Sequence, residues 1–230
     1  MLNSYEEKIL PAEVIKEKLA EKIEQIEEEQ DRQVFAKEKK ALKDEIIREL
    51  LPQAFTRSKY TQAYIDLVTG LLIVNGSAKQ SEELTSKLRE VLGSLPISIP
   101  YNRMPCDVMH GWLDTGEPPA PLVFGDVCEL REPGDEGGQL KAKQMDLTSQ
   151  PIHNHLDDML VSALMITWQD AITFTLKEDL RLTGVTMTDV LQAERDTVET
   201  NSKVEALDAD FALMSLTFRK CLPQLISYLN

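Results

Sequence analysis

A chain of 230 residues, 42% hydrophobic and 28% charged, is long enough for one large domain or two small ones and has the balance of a globular protein. Its net charge of −14 excludes indiscriminate binding to nucleic acid but leaves room for a local basic site, because exposed charges more than about 10 Å apart are largely screened at physiological salt. No apolar run approaches the roughly 18 residues of a membrane span, the start MLNSYEEKIL lacks a signal-peptide pattern, and the widely spaced Cys106, Cys128 and Cys221 fit neither a disulfide framework nor a zinc knuckle, which implies a reducing, cytoplasmic setting.

Residues 11–31 predict a helix. Pro11 suits a first helical position, and Ile15, Leu19, Ile23 and Ile26 recur on one face. A second helix runs from about Lys37 to Leu51, with Leu42, Ile46, Leu50 and Leu51 as its stripe, and Pro52 ends it. Two amphipathic helices with a short join pack antiparallel, as a hairpin with one narrow apolar seam that projects from a larger body. From Tyr60 the period changes. YTQAYIDLV and LLIVN, separated by Thr69-Gly70, read as a β-hairpin. Residues 78–92 return to helix, with Leu84, Leu88 and Val91 on one face and Gly93 as the stop. LPISIP then reads as a short strand bounded by prolines.

Residues 100–125 are rich in proline and read mostly as loop, with a short helix from Pro105 to Leu113. VFGDVCELRE and QLKAKQMDL flank the turn signal EPGDEGG. Ser149 caps a short helix through Leu156. LVSALMITW and AITFTL form a strand pair that turns at Gln169-Asp170. Residues around 192–206 read as an acidic, polar linker. The last segment, DADFALMSLTFRKCLPQLISYL, is helical, and Pro223 should kink or divide it. The sum is an α+β fold: a projecting antiparallel helical hairpin on a mixed or antiparallel β-sheet body with packed helices. The expected organisation is a helical-hairpin tip region over 1–59, a central α+β region over 60–100, and a second α+β base region with the C-terminal helix over 101–230.

Three features carry candidate chemistry. His153-Asn154-His155, followed by Asp157 and Asp158, has the residue types of a metal site. Residues two apart do not share a helix face, so polar helix-start residues are the better account. The alternative is a metal-dependent nuclease using His153, His155, Asp157 or Asp158. No G-x-S-x-G, P-loop or dinucleotide fingerprint occurs, and nothing in the residues asks for an enzyme or a cofactor. The second feature is a basic strip. Between Arg32 and Lys59, eight bases (Arg32, Lys37, Lys39, Lys40, Lys43, Arg48, Arg57 and Lys59) stand against four acids. On composition alone this is a solvated helix face; as a functional feature it is a surface for phosphate. Lys141-Ala142-Lys143 adds two lysines that strand alternation sends to one side, whether to meet a ligand or to protect an edge. The third is Phe55, an aromatic among polar residues. It either plugs the helical hairpin or offers an apolar contact to a partner or a second copy; a protein-interaction module without DNA binding is the third functional class.

EEKILPAEVIKEKL (6–19), ALKDEIIRELLPQAF (41–55), YIDLVTGLLIVN (64–75), LREVLGSLP (88–96), KAKQMDLTS (141–149) and LDADFALM (207–214), in this order across nearly the whole chain, resemble the RdgC family of bacterial recombination-associated proteins. The resemblance implies a non-enzymatic protein that binds double-stranded DNA with little sequence preference. It implies a head-to-head homodimer closed into a positively lined ring, a functional link to RecA, and a cytoplasmic, nucleoid-associated setting with no membrane and no cofactor. It aligns the phenylalanine of ring closure with Phe55, the basic residue of the hairpin join with Arg32, and the lysine-rich strand facing the hole with Lys141 and Lys143. With the basic strip, the DNA-binding set is Arg32, Lys37, Lys39, Lys40, Lys43, Arg57, Lys141, Lys143 and Gln144. The usual Lys-Lys-Gln-Asp-Leu run is here Lys143-Gln144-Met145-Asp146-Leu147, and the family arginine before Ala-Phe is Gln53, so fewer phosphate partners and weaker binding are expected. The resemblance also implies further family residues, with opening strands of the central sheet, ahead of Glu6, so the chain reads as an N-terminally shortened member or a fragment.

Overall fold

Pro11 lies in extended backbone (φ −61°, ψ 138°) and launches α1, Ala12–Gln30, as its ring constraint predicts, although it caps the helix rather than occupying its first turn. The structure is a computed structural model that describes residues 2–98, 101–134, 137–198 and 202–230. The chain divides into two compact units, one made of Met1–Tyr64 and Leu72–Gly93, the other of Ile65–Leu71 and Ser94–Asn230. The fold is α+β with two antiparallel sheets.

In the first unit, α1 and α2 (Ala36–Leu50) form the antiparallel hairpin. Lys22 on α1 reaches Glu45 and Glu49 on α2 at 3.1 and 3.5 Å, while Glu27 accepts the Val34 backbone N–H at 2.9 Å. Later positions of α1 thus meet earlier positions of the following segment, which is antiparallel packing. The seam is narrow: only Val34 and Ile46 are buried, and the α1 stripe stays half-exposed. After α2 comes a single 3-10 turn, Leu51–Gln53, that contains Pro52. The first sheet runs β1-β2-β3, with β1 Leu2–Ile9, β2 Phe55–Asp66 and β3 Leu71–Asn75. β2 begins at Phe55, not at Tyr60, because β1 supplies a partner for those earlier residues, pairing Ile9 with Phe55 and Leu2 with Gln62. The strand β1 was not expected, since LNSYEEKI has no apolar alternation. α3, Ala78–Leu92, is closed by reciprocal bonds between Ser77 and Gln80 and stopped by Gly93 at φ 72°, where only glycine is unstrained. Leu84 and Leu88 are buried as expected, but Val91, on the same face one turn further on at the helix end, is 81% exposed.

The second unit is built on a five-stranded sheet of order β5-β4-β6-β7-β8. Its strands are β4 Leu122–Arg131, β5 Gln139–Lys143, β6 Leu160–Trp168, β7 Ile172–Lys177 and β8 Leu182–Met187. One face is core: Cys128, Leu130, Leu164, Ile166, Phe174 and Leu176 are fully buried. Met109 and Leu113 of α4 (Pro105–Thr115), Ile152 of α5 (Gln150–Leu156) and Cys221 of α7 (Lys203–Ser227) complete it. Burial pushes the Cys128 thiol up to about 11 and the Cys221 thiol up to about 12, so neither is a nucleophile. The opposite face carries Glu129, Arg131, Lys141, Lys143, Thr173 and Lys177, all at least partly exposed. Gln169 and Asp170, at φ 48° and 50°, are the central residues of the turn in the three-residue connection 169–171 between β6 and β7, closed by the Ala171 N–H donating to the Trp168 carbonyl at 2.9 Å.

Four expectations change here. Residues 95–98 of LPISIP form no strand, because Pro96 cannot donate to a ladder; Ile99 and Pro100 lie outside the described residues. Part of the expected linker is helix α6, Asp189–Asp196, seated by buried Leu191, and residues 199–201 lie outside the described residues, as do Asp135 and Glu136 of the EPGDEGG turn. β8 was not expected, because Gly184 at φ 62° interrupts its pattern. Pro223 does not divide α7, which runs unbroken from Lys203 to Ser227 with Pro223 on its exposed side. No helix among the described residues is long and apolar enough to cross a membrane.

Candidate functional site

The basic strip falls mostly on α2. Lys37, Lys39, Lys40 and Lys43 are all exposed, and none makes an ion pair among the described residues. Spacings of three and four place Lys39, Lys40 and Lys43 on neighbouring turns of one side. Lys37 lies in the first turn, where the positive end of the helix dipole disfavours a cation, so helix stability alone does not account for it.

Arg32 differs. It stands in the turn between α1 and α2, just after Asp31 in left-handed backbone at φ 46°. Its guanidinium meets Glu38 with two bonds of 2.9 Å and Gln30 with one of 2.8 Å. The Arg32 bond, then the Phe35 N–H, hold the Glu38 carboxyl below its usual range. Arg32 is exposed yet already partnered. Arg57 on β2 stands opposite Glu7 of β1, which is ion-paired to Lys59. The bond from Lys59 lowers the Glu7 carboxyl first, and the nearby charges of Lys59, Arg57 and Lys79 add to it.

Phe55 is 84% exposed at the first position of β2, beside Ile9, itself 41% exposed. It stands where the helical hairpin enters the sheet, one helix length from the turn that holds Arg32. The exposed aromatic at that turn is Phe35, which the sequence reading passed over because nothing in its neighbours marks it.

In the second unit, Lys141 and Lys143 point to the same side of edge strand β5, with buried Ala142 on the other, as alternation predicts. Lys143 is exposed with no ion pair among the described residues. Lys141 faces Glu129 of β4 directly and pairs with it, and Lys177 of β7 binds the other oxygen of that carboxylate at 2.5 Å. Gln144 follows the strand in left-handed backbone at φ 54° and is exposed. The two units therefore each hold part of the set: Arg32, Lys37, Lys39, Lys40, Lys43, Arg57 and Phe55 in the first, Lys141, Lys143 and Gln144 in the second.

His153 and His155 occupy the last turn of α5, not its start, and project from different sides of it. Among the described residues, no three His, Cys, Asp or Glu side chains gather as a metal site. Glu38, Glu129 and Lys177 escaped the sequence reading; their roles depend on rotamers and cross-strand register, which leave no local signal.

A family model described as "Putative exonuclease, RdgC" matches residues 1–230. A protein of Aeromonas hydrophila is 40% identical over 228 residues, covering 98% of this chain and 75% of its own length. One from Psychromonas ingrahamii is 41% identical over 225 residues, covering 96% of this chain and 74% of its own. One from Pseudomonas fluorescens is 39% identical over 228 residues, covering 98% and 74%. All three relatives carry the name "Recombination-associated protein RdgC".

Proposed function

The chain belongs to the RdgC family, and from that premise we propose that it binds double-stranded DNA without sequence preference, as a homodimer that closes through Phe55 and modulates RecA-dependent recombination in the nucleoid. The observation that carries this reading is the run of four exposed lysines on α2, Lys37, Lys39, Lys40 and Lys43, without ion pairs among the described residues, in a chain of net charge −14. Lys143, which unlike Lys141 makes no ion pair among the described residues, supports it from the second unit. Exposed lysines bind phosphate by displacing condensed counterions, so affinity depends on salt and not on bases. If about four phosphates are neutralised, the slope of log affinity on log salt is about −4. Fluorescence anisotropy on unrelated duplexes measures that slope. A flat response, or strong preference for one sequence, defeats the reading.

The family description names an exonuclease, and that reading is tested in the same tubes. End-labelled duplex incubated with magnesium or manganese stays intact under the binding reading. Metal-dependent shortening that His153→Ala or Asp157→Ala abolishes would establish the catalytic one.

A further inference from the structure

We propose that the Lys141–Glu129–Lys177 cluster on the accessible face of the five-stranded sheet is a phosphodiester-binding position that Glu129 occupies in the free protein. The inference rests on the DNA-binding reading and adds two residues to it, Lys177 as a ligand and Glu129 as its internal competitor.

The geometry comes from three strands. Glu129 on β4 pairs in register with Lys141 on β5 and with Ala163 on β6, and Ala163 in turn pairs with Lys177 on β7. Ala163 is the step that matters. Its methyl group leaves the space through which the Lys177 side chain crosses a whole strand to reach Glu129 at 2.5 Å. A larger side chain at that position would fill the path. The two ammonium groups then hold one carboxylate oxygen each.

A phosphodiester offers the same valence: one negative charge shared by two terminal oxygens. It fits between the same two ammonium groups once the carboxylate swings out towards the solvent that Glu129, 23% exposed, already borders. Lys143 lies two residues along the same edge strand, about 7 Å further on, and presents another ammonium group to the same backbone. On the other side of Glu129 from Lys143, Arg131 is held by Glu178 at 3.0 Å, so the face around Glu129 carries four cations against two carboxylates. The two lysines keep the Glu129 carboxyl below its usual range, so it competes fully at neutral pH.

The test compares wild type, Glu129→Gln, Lys177→Gln and the double variant Glu129→Gln/Lys177→Gln by anisotropy on an unrelated duplex across a salt series. Glu129→Gln should bind roughly fivefold tighter, the effect of one partly screened contact, and its salt slope should steepen by about 0.9 for each phosphate gained. Lys177→Gln alone should be nearly silent, because the carboxylate already holds that lysine. The double variant should lose the gain. Glu129→Ala, which removes the competitor and its side-chain bonds together, gives the same direction and guards against an effect of the amide. If wild type binds but Glu129→Gln binds no tighter, or keeps its gain without Lys177, the inference falls and the DNA-binding reading stands. If none of the proteins binds, the DNA-binding reading itself falls.

Discussion

Arg32 and Glu38 form a two-pronged ion pair across the start of α2, with Nη1 and Nη2 each 2.9 Å from a different carboxylate oxygen. The same carboxylate accepts the Phe35 backbone N–H at 3.3 Å, at a helix start whose N-cap side chain offers no acceptor. One acid therefore closes the helix and neutralises the base.

From this follows a ranking of the tip cations. Arg32 reaches a phosphate only by releasing Glu38, whereas Lys43 has no ion-pair partner among the described residues to leave. Arg32→Ala should lower DNA affinity less than Lys43→Ala, and Glu38→Gln should raise it. Anisotropy at one fixed salt concentration ranks the three. An Arg32→Ala loss equal to that of Lys43→Ala would show that the ion pair restrains nothing.

Charge reversal at Lys143 gives a second handle. The side chain is exposed, without an ion pair among the described residues and on an edge strand, so Lys143→Glu leaves the fold intact. It should weaken binding to every duplex alike and flatten the salt slope by about 0.9 for the phosphate lost. A loss confined to one sequence would mean that Lys143 reads bases.

Phe55 separates self-association from DNA contact. At 84% exposure its ring contributes little to the monomer, so Phe55→Ala should change stability by no more than about 0.5 kcal/mol. Sedimentation velocity should nevertheless show a shift from dimer towards monomer, because an apolar ring left in water gains most when a second copy covers it. Unchanged sedimentation would strip Phe55 of the role.

α1, α2 and α3 were legible because apolar periodicity and local stops such as Pro52 and Gly93 act within a few residues of the sequence they shape, and α5 was expected from Ser149, which does take the N-cap position although its side chain makes no capping bond. β1 was not legible, because Leu2–Ile9 is a strand only through its ladder with β2. β8 and α6 were hidden for a like reason: Gly184 and a run of acids speak locally for loop, and packing of Leu191 decides otherwise. The exposed lysines of α2 and the shared side of Lys141 and Lys143 were legible from spacing. The ion pairs that distinguish Arg32 from Lys43, and Lys141 from Lys143, were not, since Glu38 and Glu129 are brought into place by a turn and by strand register.

Glu129 also predicts how stability responds to acid. Lys141, then Lys177, hold its carboxyl below the usual range by donating to the ionised form. A group whose pKa is lower folded than unfolded stabilises the fold above its unfolded value, about 4.3 for Glu, and that contribution is lost as pH falls through the folded value. Glutamine at this position has no such dependence. In urea titrations, wild type should exceed Glu129→Gln by a constant margin between about pH 7 and pH 5.5, and the margin should shrink below about pH 4.3. The cluster borders solvent, so after screening the margin should not exceed about 1 kcal/mol. A margin that grows on acidification would mean that Glu129 is strained in its ionised form, and would contradict the ion-pair geometry from which its competition with phosphate was inferred.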